Sequence, residues 1–144
     1  MRLFPRFAAL LLMTAMVTSI GAQELVESYF EARAQARLDE LDETTKGYHR
    51  DVLLPDFQQR YGRHFRECSQ QLPSPEPTPF SFVVAIGADG QVRRLWSDRS
   101  TSVYQCVRGK LLFDRFGPPP RTPFYLFVQM RFTDPDPREK GNSK

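Results

Sequence analysis

The stretch that most constrains the fold is residues 80–87, FSFVVAIG. Apolar residues at successive positions suit a strand buried on both faces, so this one belongs in the middle of a sheet. Ala88-Asp89-Gly90 follows as a hairpin turn, with glycine where the backbone needs a positive φ. Residues 91–97 are shorter and more polar, with Arg93 and Arg94 adjacent, as in an edge strand. Val92 and Leu95 break strict alternation, which points to a bulge. Ser100 or Thr101 caps a helix carrying Val103, Cys106, Val107 and Leu111. Gly117 and the prolines at 118–120 then break the chain. Finally Phe124, Leu126, Val128, Met130 and Phe132 alternate with Tyr125, Phe127, Gln129 and Arg131, a strand with one fully apolar face.

This succession gives an α+β fold. The helical crossover turns the third strand parallel to the second, so it sits beside the first and antiparallel to it. The expected sheet is small, antiparallel and three-stranded, of order 2-1-3, with helices on one side. The last strand then forms an open edge, and Tyr125, Phe127, Gln129 and Arg131 are its exposed row. An extended peptide adds to such an edge through main-chain hydrogen bonds.

Two helices are expected upstream. Residues 24–47 are rich in Ala, Leu, Glu and Arg, with Val26, Phe30, Ala34, Leu38 and Leu41 forming one apolar stripe and Gly47 as the stop. The stripe suits either a helix resting weakly on the domain as an arm, or one that pairs with a partner helix or its own copy. Residues 48–54 read as a connector. Pro55 opens a second helix, whose buried face holds Phe57, Tyr61, Phe65, Cys68 and Leu72. Alternating prolines at 73, 75, 77 and 79 make an extended link. From 133 the tail is polar and reads as disordered. The expected divisions are a signal segment at 1–22, a helical arm at 23–55, the α+β domain at 56–132 and the tail at 133–144.

Residues 1–22 read as a secretory signal. Arg2 and Arg6 precede an uncharged run at 7–17, Ala22 occupies the small-residue cleavage position, and Gln23 becomes the new N-terminus. The run is shorter than the roughly 20 apolar residues of a spanning helix. The competing reading is an uncleaved inner-membrane anchor, and membrane contact is expected only in that case. Of the 20 basic and 17 acidic residues of the chain, removal of Arg2 and Arg6 leaves 18 against 17. Nucleic acid is therefore not an expected partner. Residues 23–57 hold nine acids and four bases, and residues 58–132 eleven bases and five acids.

The two cysteines, in an exported chain, read as one bridge between Cys68 and Cys106. Two buried thiols or an intermolecular bond are the alternatives. An internal bridge would stabilise the fold by at most roughly 4 kcal/mol. His49 and His64 lie on different segments without HxxxH or HExxH spacing, so no metal is expected. No nucleophile motif or phosphate-cradling loop is present. Asp89 reads as a turn residue, and Glu67 and Asp114 as surface charges. Neither an enzyme nor a cofactor is expected.

From about 56 to 132 the chain resembles the periplasmic C-terminal domain of TonB-like proteins, including the AgmX-type subgroup. The resemblance is carried by the helix with Cys68, the Pro-rich link, the hairpin FVVAIGADGQV, the helix with Cys106-Val107 and Leu111, Phe116 before Pro118–Pro120, and Pro123-Phe124. It departs from TonB in lacking an anchor histidine and a long spacer, so energy transduction is not carried over. The resemblance implies a periplasmic module that binds a protein partner in the periplasm or outer membrane through its sheet edge. Two other readings stand beside it: an envelope assembly component that self-associates through its N-terminal helices, and an inhibitor or immunity-type protein.

Overall fold

The computed structural model describes residues 25–72 and 78–131. The expected signal segment with Ala22 and Gln23, residues 73–77 of the Pro-rich link, and the tail from 133 lie outside the described residues. Three strands, β1 (Phe80–Ile86), β2 (Val92–Ser97) and β3 (Phe124–Met130), form an antiparallel sheet of order β2-β1-β3. The fold is α+β, with the expected order and strand directions. All seven residues of β1 are buried, as a central strand apolar on both faces requires. Gly90 closes the hairpin at φ +80, a conformation a side chain rarely tolerates. The β1–β2 register shifts between Ala85 and Ile86, opposite Arg94 and Val92, which locates the bulge.

The two faces of β1 are covered by different helices. Phe82, Val84 and Ile86 join Phe124 and Leu126 in a core beneath α2 (Leu54–Gln71) and α3 (Ser102–Leu111). These helices share one side, as expected. They contribute Phe57, Tyr61, Val103, Val107 and Leu111. Thr101 caps α3, its side chain accepting from the Tyr104 N–H at 3.1 Å. Cys68 and Cys106 form the disulfide between α2 and α3, with Cα atoms 5.8 Å apart. Glu67 and Asp114 are not merely surface charges. Glu67 binds Lys110 of α3 at 2.7 Å, and Asp114 binds His64 of α2 at 2.8 Å. Both thus brace α2 against α3 or the turn that follows it.

The other face is covered by α1 (Tyr29–Leu41), which lies on the sheet and contacts β3 most extensively. Val83, Ala85, Trp96 and Tyr125 meet Ala32 and Ala36 there. Here the structure departs from the stripe expected at 24–47. Phe30, Leu38 and Leu41 are 78%, 60% and 59% exposed, whereas Ala32, Ala36 and Asp39 are buried. Small side chains let the helix backbone sit close to the sheet, so close approach outweighs the larger apolar payload. The helix is also shorter than expected. Ser28 caps it in a reciprocal capping box with Glu31. It ends at Asp42, whose carboxylate accepts from the Thr44 N–H at 2.8 Å and from its hydroxyl at 2.7 Å. Gly47 is no stop, since its backbone is right-handed helical and leads into a π-helical turn (Tyr48–Leu53) continuous with α2. The expected connector at 48–54 is therefore helical.

Candidate partner-binding edge

Among the described residues β3 pairs on one side only, with β1, Phe124–Met130 running opposite Ile86–Phe80. Main-chain groups on an antiparallel strand alternate between the partner and the outside. The Tyr125 N–H turns outward, donating to Asp39 Oδ2 at 2.8 Å. Phe127 and Gln129, two and four residues on, therefore turn their N–H and C=O groups the same way, whereas Val128 faces β1 opposite Phe82. Among the described residues no hydrogen bond engages these outward groups of Phe127 and Gln129. Among the described residues the edge is thus capped at its beginning and open along the rest.

Asp39 makes that cap. It stands in the last turn of α1, fully buried. Besides Tyr125, its carboxylate accepts from Arg121 at 2.6 Å and from Gln35 at 3.1 Å. Arg121 also reaches Asp42 at 3.3 Å. A buried carboxylate needs such partners, because an unpaired one carries a heavy desolvation penalty. Further contacts seat the N-terminal part of α1. The Tyr29 hydroxyl lies 2.6 Å from the Ser81 hydroxyl, the Trp96 indole N–H donates to the Glu27 carbonyl at 3.3 Å, and the Val26 N–H donates to the Tyr125 hydroxyl at 3.3 Å.

An open groove of about 520 Å³ runs between α1 and the open part of β3, lined by Phe30, Arg33, Ala34, Arg37, Glu40 and Phe127. The Arg33 guanidinium lies 5.0 Å from the Phe127 ring centroid, within cation–π range. Arg37 pairs with Glu40 at 3.0 Å on the exposed surface. The groove therefore combines an apolar floor, two guanidinium groups and an adjoining row of free main-chain donors and acceptors. Such a surface can hold an extended chain and read one side chain of it.

The expected row Tyr125, Phe127, Gln129 and Arg131 is divided by the fold. Tyr125 is buried beneath α1, Phe127 is half-buried under Arg33, and Gln129 and Arg131 are exposed. Sequence reasoning did not anticipate Asp39, Arg33 and Arg121. A charged residue on the buried face of a helix has no signature in apolar periodicity. The two histidines do not converge: His64 pairs with Asp114, while His49 lies against Phe124 with ring centroids 6.2 Å apart. Among the described residues no His, Cys, Asp or Glu side chains gather as a metal-ligand set, and no helix is long and apolar enough to cross a membrane. No protein-family description, curated protein or solved structure matches this chain.

Proposed function

We propose that this protein is an exported, periplasmic binding module that holds an extended segment of an envelope protein along the open edge of β3. The observation that carries this reading is the free outward row of Phe127 and Gln129 beside the groove under α1. Strand addition takes its affinity from main-chain hydrogen bonds and its selectivity from alternate side-chain pockets. Here the pocket over Phe127 suits an apolar side chain, and Arg33 and Arg37 favour an acidic neighbour. The signal-like residues 1–22 support export. The sequence resemblance to TonB-like C-terminal domains supports a sheet-edge mode of binding, without energy transduction.

The test removes an outward donor without disturbing the sheet. Gln129 is exposed, and proline is tolerated on an edge strand where the N–H faces solvent. Peptides selected by display against the purified protein should bind Gln129→Pro about tenfold more weakly, the equivalent of roughly one main-chain hydrogen bond with its neighbours. Hydrogen exchange at the Phe127 and Gln129 amides should slow on binding. Equal affinity for the variant, with both amides still exchanging freely in the complex, would refute the reading.

A further inference from the structure

The outer surface of the α2–α3 layer takes no part in the edge described above. At 100° per residue, Gln59, Arg63, Arg66 and Gln70 fall within about 60° of one another, on the side of α2 away from the core, and all four are exposed. On α3 the exposed stripe passes through Gln105 and Gly109 and ends at Phe113 in the turn that follows. The helices run antiparallel, since Cys68 meets Cys106, Glu67 meets Lys110 and His64 meets Asp114. The two stripes therefore lie side by side. Phe113 is 88% exposed, more than any other large apolar side chain among the described residues.

The charges of this layer leave cations over. Its three carboxylates are committed, Asp56 to Arg60 at 2.7 Å, Glu67 to Lys110 at 2.7 Å and Asp114 to His64 at 2.8 Å. Arg63, Arg66 and Arg108 form no ion pair among the described residues. Lys110 first, and Arg63 with it, holds the Glu67 carboxyl below its ordinary range, which sets Arg63 beside that pair in the seam between the helices. Neutralisation from within is barred by the fold. α1 and its flanking residues hold most of the acidic excess of residues 23–57, and α1 packs on the opposite face of the sheet.

The pattern indicates what this surface meets. The core of a protein–protein interface is apolar and depleted of charge; here the middle is polar and cationic, and the one large apolar side chain stands at an end. A membrane surface asks for the reverse, dispersed cations for the headgroups and an apolar group that reaches the acyl boundary. Guanidinium groups suit phosphate oxygens because they bind them through two parallel N–H donors.

We propose that the outer surface of α2 and α3 rests on an anionic phospholipid membrane, with Arg63, Arg66 and Arg108 on headgroup phosphates and Phe113 inserted at the interface. The folded domain makes this contact, not residues 1–22. The groove under α1 lies on the opposite face of the sheet and stays clear of the membrane, so the proposal does not rest on the edge-binding reading. Three cations and one aromatic ring give a weak attachment that salt reverses.

Co-sedimentation of the purified protein with vesicles tests it. At low salt, vesicles of phosphatidylcholine with about 30% phosphatidylglycerol should retain the protein at least about tenfold better than phosphatidylcholine alone. Raising the salt to about 0.5 M should remove the difference. Arg63→Gln together with Arg66→Gln should lower retention about thirtyfold, about fivefold for each cation. Phe113→Ser should lower it about fivefold. These side chains are exposed, so the circular dichroism spectrum and the thermal midpoint should not change. Equal retention on the two vesicle types overturns the proposal. Retention that survives both variants overturns it as well and assigns the contact to residues 1–22 or to another surface. Loss with the arginines but not with Phe113→Ser refutes the membrane seat and leaves a cationic patch for a soluble polyanion.

Discussion

Replacing Asp39 with alanine should destabilise the α1 side of the sheet on the scale of a large core truncation. The carboxylate is fully buried and holds the Tyr125 N–H, Arg121 and Gln35 at 2.8, 2.6 and 3.1 Å. Truncation leaves the Tyr125 N–H without an acceptor, a penalty of about 1–3 kcal/mol. Breaking a fully buried ion pair costs about 3–5 kcal/mol. Arg121 is 45% exposed, however, so it rehydrates and only part of that second figure applies. The total comes to about 3 kcal/mol, which lowers the unfolding midpoint by about 10–20 °C in a domain of this size. Asp39→Asn keeps a carbonyl for Tyr125 and should cost about half as much. Arg121→Ala leaves the buried Asp39 carboxylate without its counter-charge, held only by the Tyr125 N–H and Gln35, and should cost about 1–3 kcal/mol. Thermal unfolding followed by circular dichroism gives all three values. A drop below about 4 °C for Asp39→Ala would refute the assignment of Asp39 as the cap of the edge.

Reduction of the Cys68–Cys106 bridge, which closes a loop with a sequence separation of 38, should destabilise the protein by up to roughly 4 kcal/mol on chain-entropy arithmetic. Denaturant unfolding with and without reductant measures this, and an unchanged midpoint would contradict it. Stability should also follow pH at both ends. A hydrogen bond from Lys110 holds the Glu67 carboxyl below its ordinary 4.5, one from Thr44 holds Asp42 below 3.8, and the Gln91 N–H does the same for Asp89. A carboxyl whose folded pKa is depressed stabilises above its unfolded value and loses that contribution as pH falls through the folded one. The midpoint should therefore hold steady from pH 7 to about 5 and fall below about 4.5. Burial pushes the Tyr48 phenol up to about 12 from 10.0, and it donates to the Gly117 carbonyl at 2.7 Å. Its contribution is present below pH 10 and lost as pH rises through about 12. A midpoint that does not move between pH 5 and pH 3 would count against the acid arm.

The stapled side of the molecule was legible in the sequence because its signals are strong and local. A strand apolar at every position has to be central, a glycine after aspartate has to turn, and large aromatic residues at helical spacing on α2 mark the face that is buried. The α1 side was legible only in part. Its helix was evident from composition, but the face that meets the sheet consists of Ala32, Ala36 and Asp39, two small residues and a charge. Hydrophobic periodicity weights residues by size and apolarity, so it singled out Phe30, Leu38 and Leu41, which the fold leaves outside. The same effect hid the candidate site. The edge strand was evident from its alternation, but which of its main-chain groups remain free depends on a carboxylate more than eighty residues away in sequence. Gly47 misled for a related reason: a glycine stops a helix only where the chain turns left-handed, and here its backbone continues as helix.

The two rims of the sheet are treated differently, and this bears on how far it can grow. At the start of β2 the chain's own residues 114–116 run alongside: the Val92 N–H donates to the Asp114 carbonyl at 3.3 Å, the Phe116 N–H to the Gly90 carbonyl at 2.8 Å, and Gln91 bridges to Arg115. That rim is thus partly occupied from within, and Arg93 and Arg94 add charge to it. Head-to-tail stacking, with β3 of one molecule against β2 of the next, would need both rims vacant and would propagate without end. With one of them obstructed, any strand that joins β3 completes a finite object.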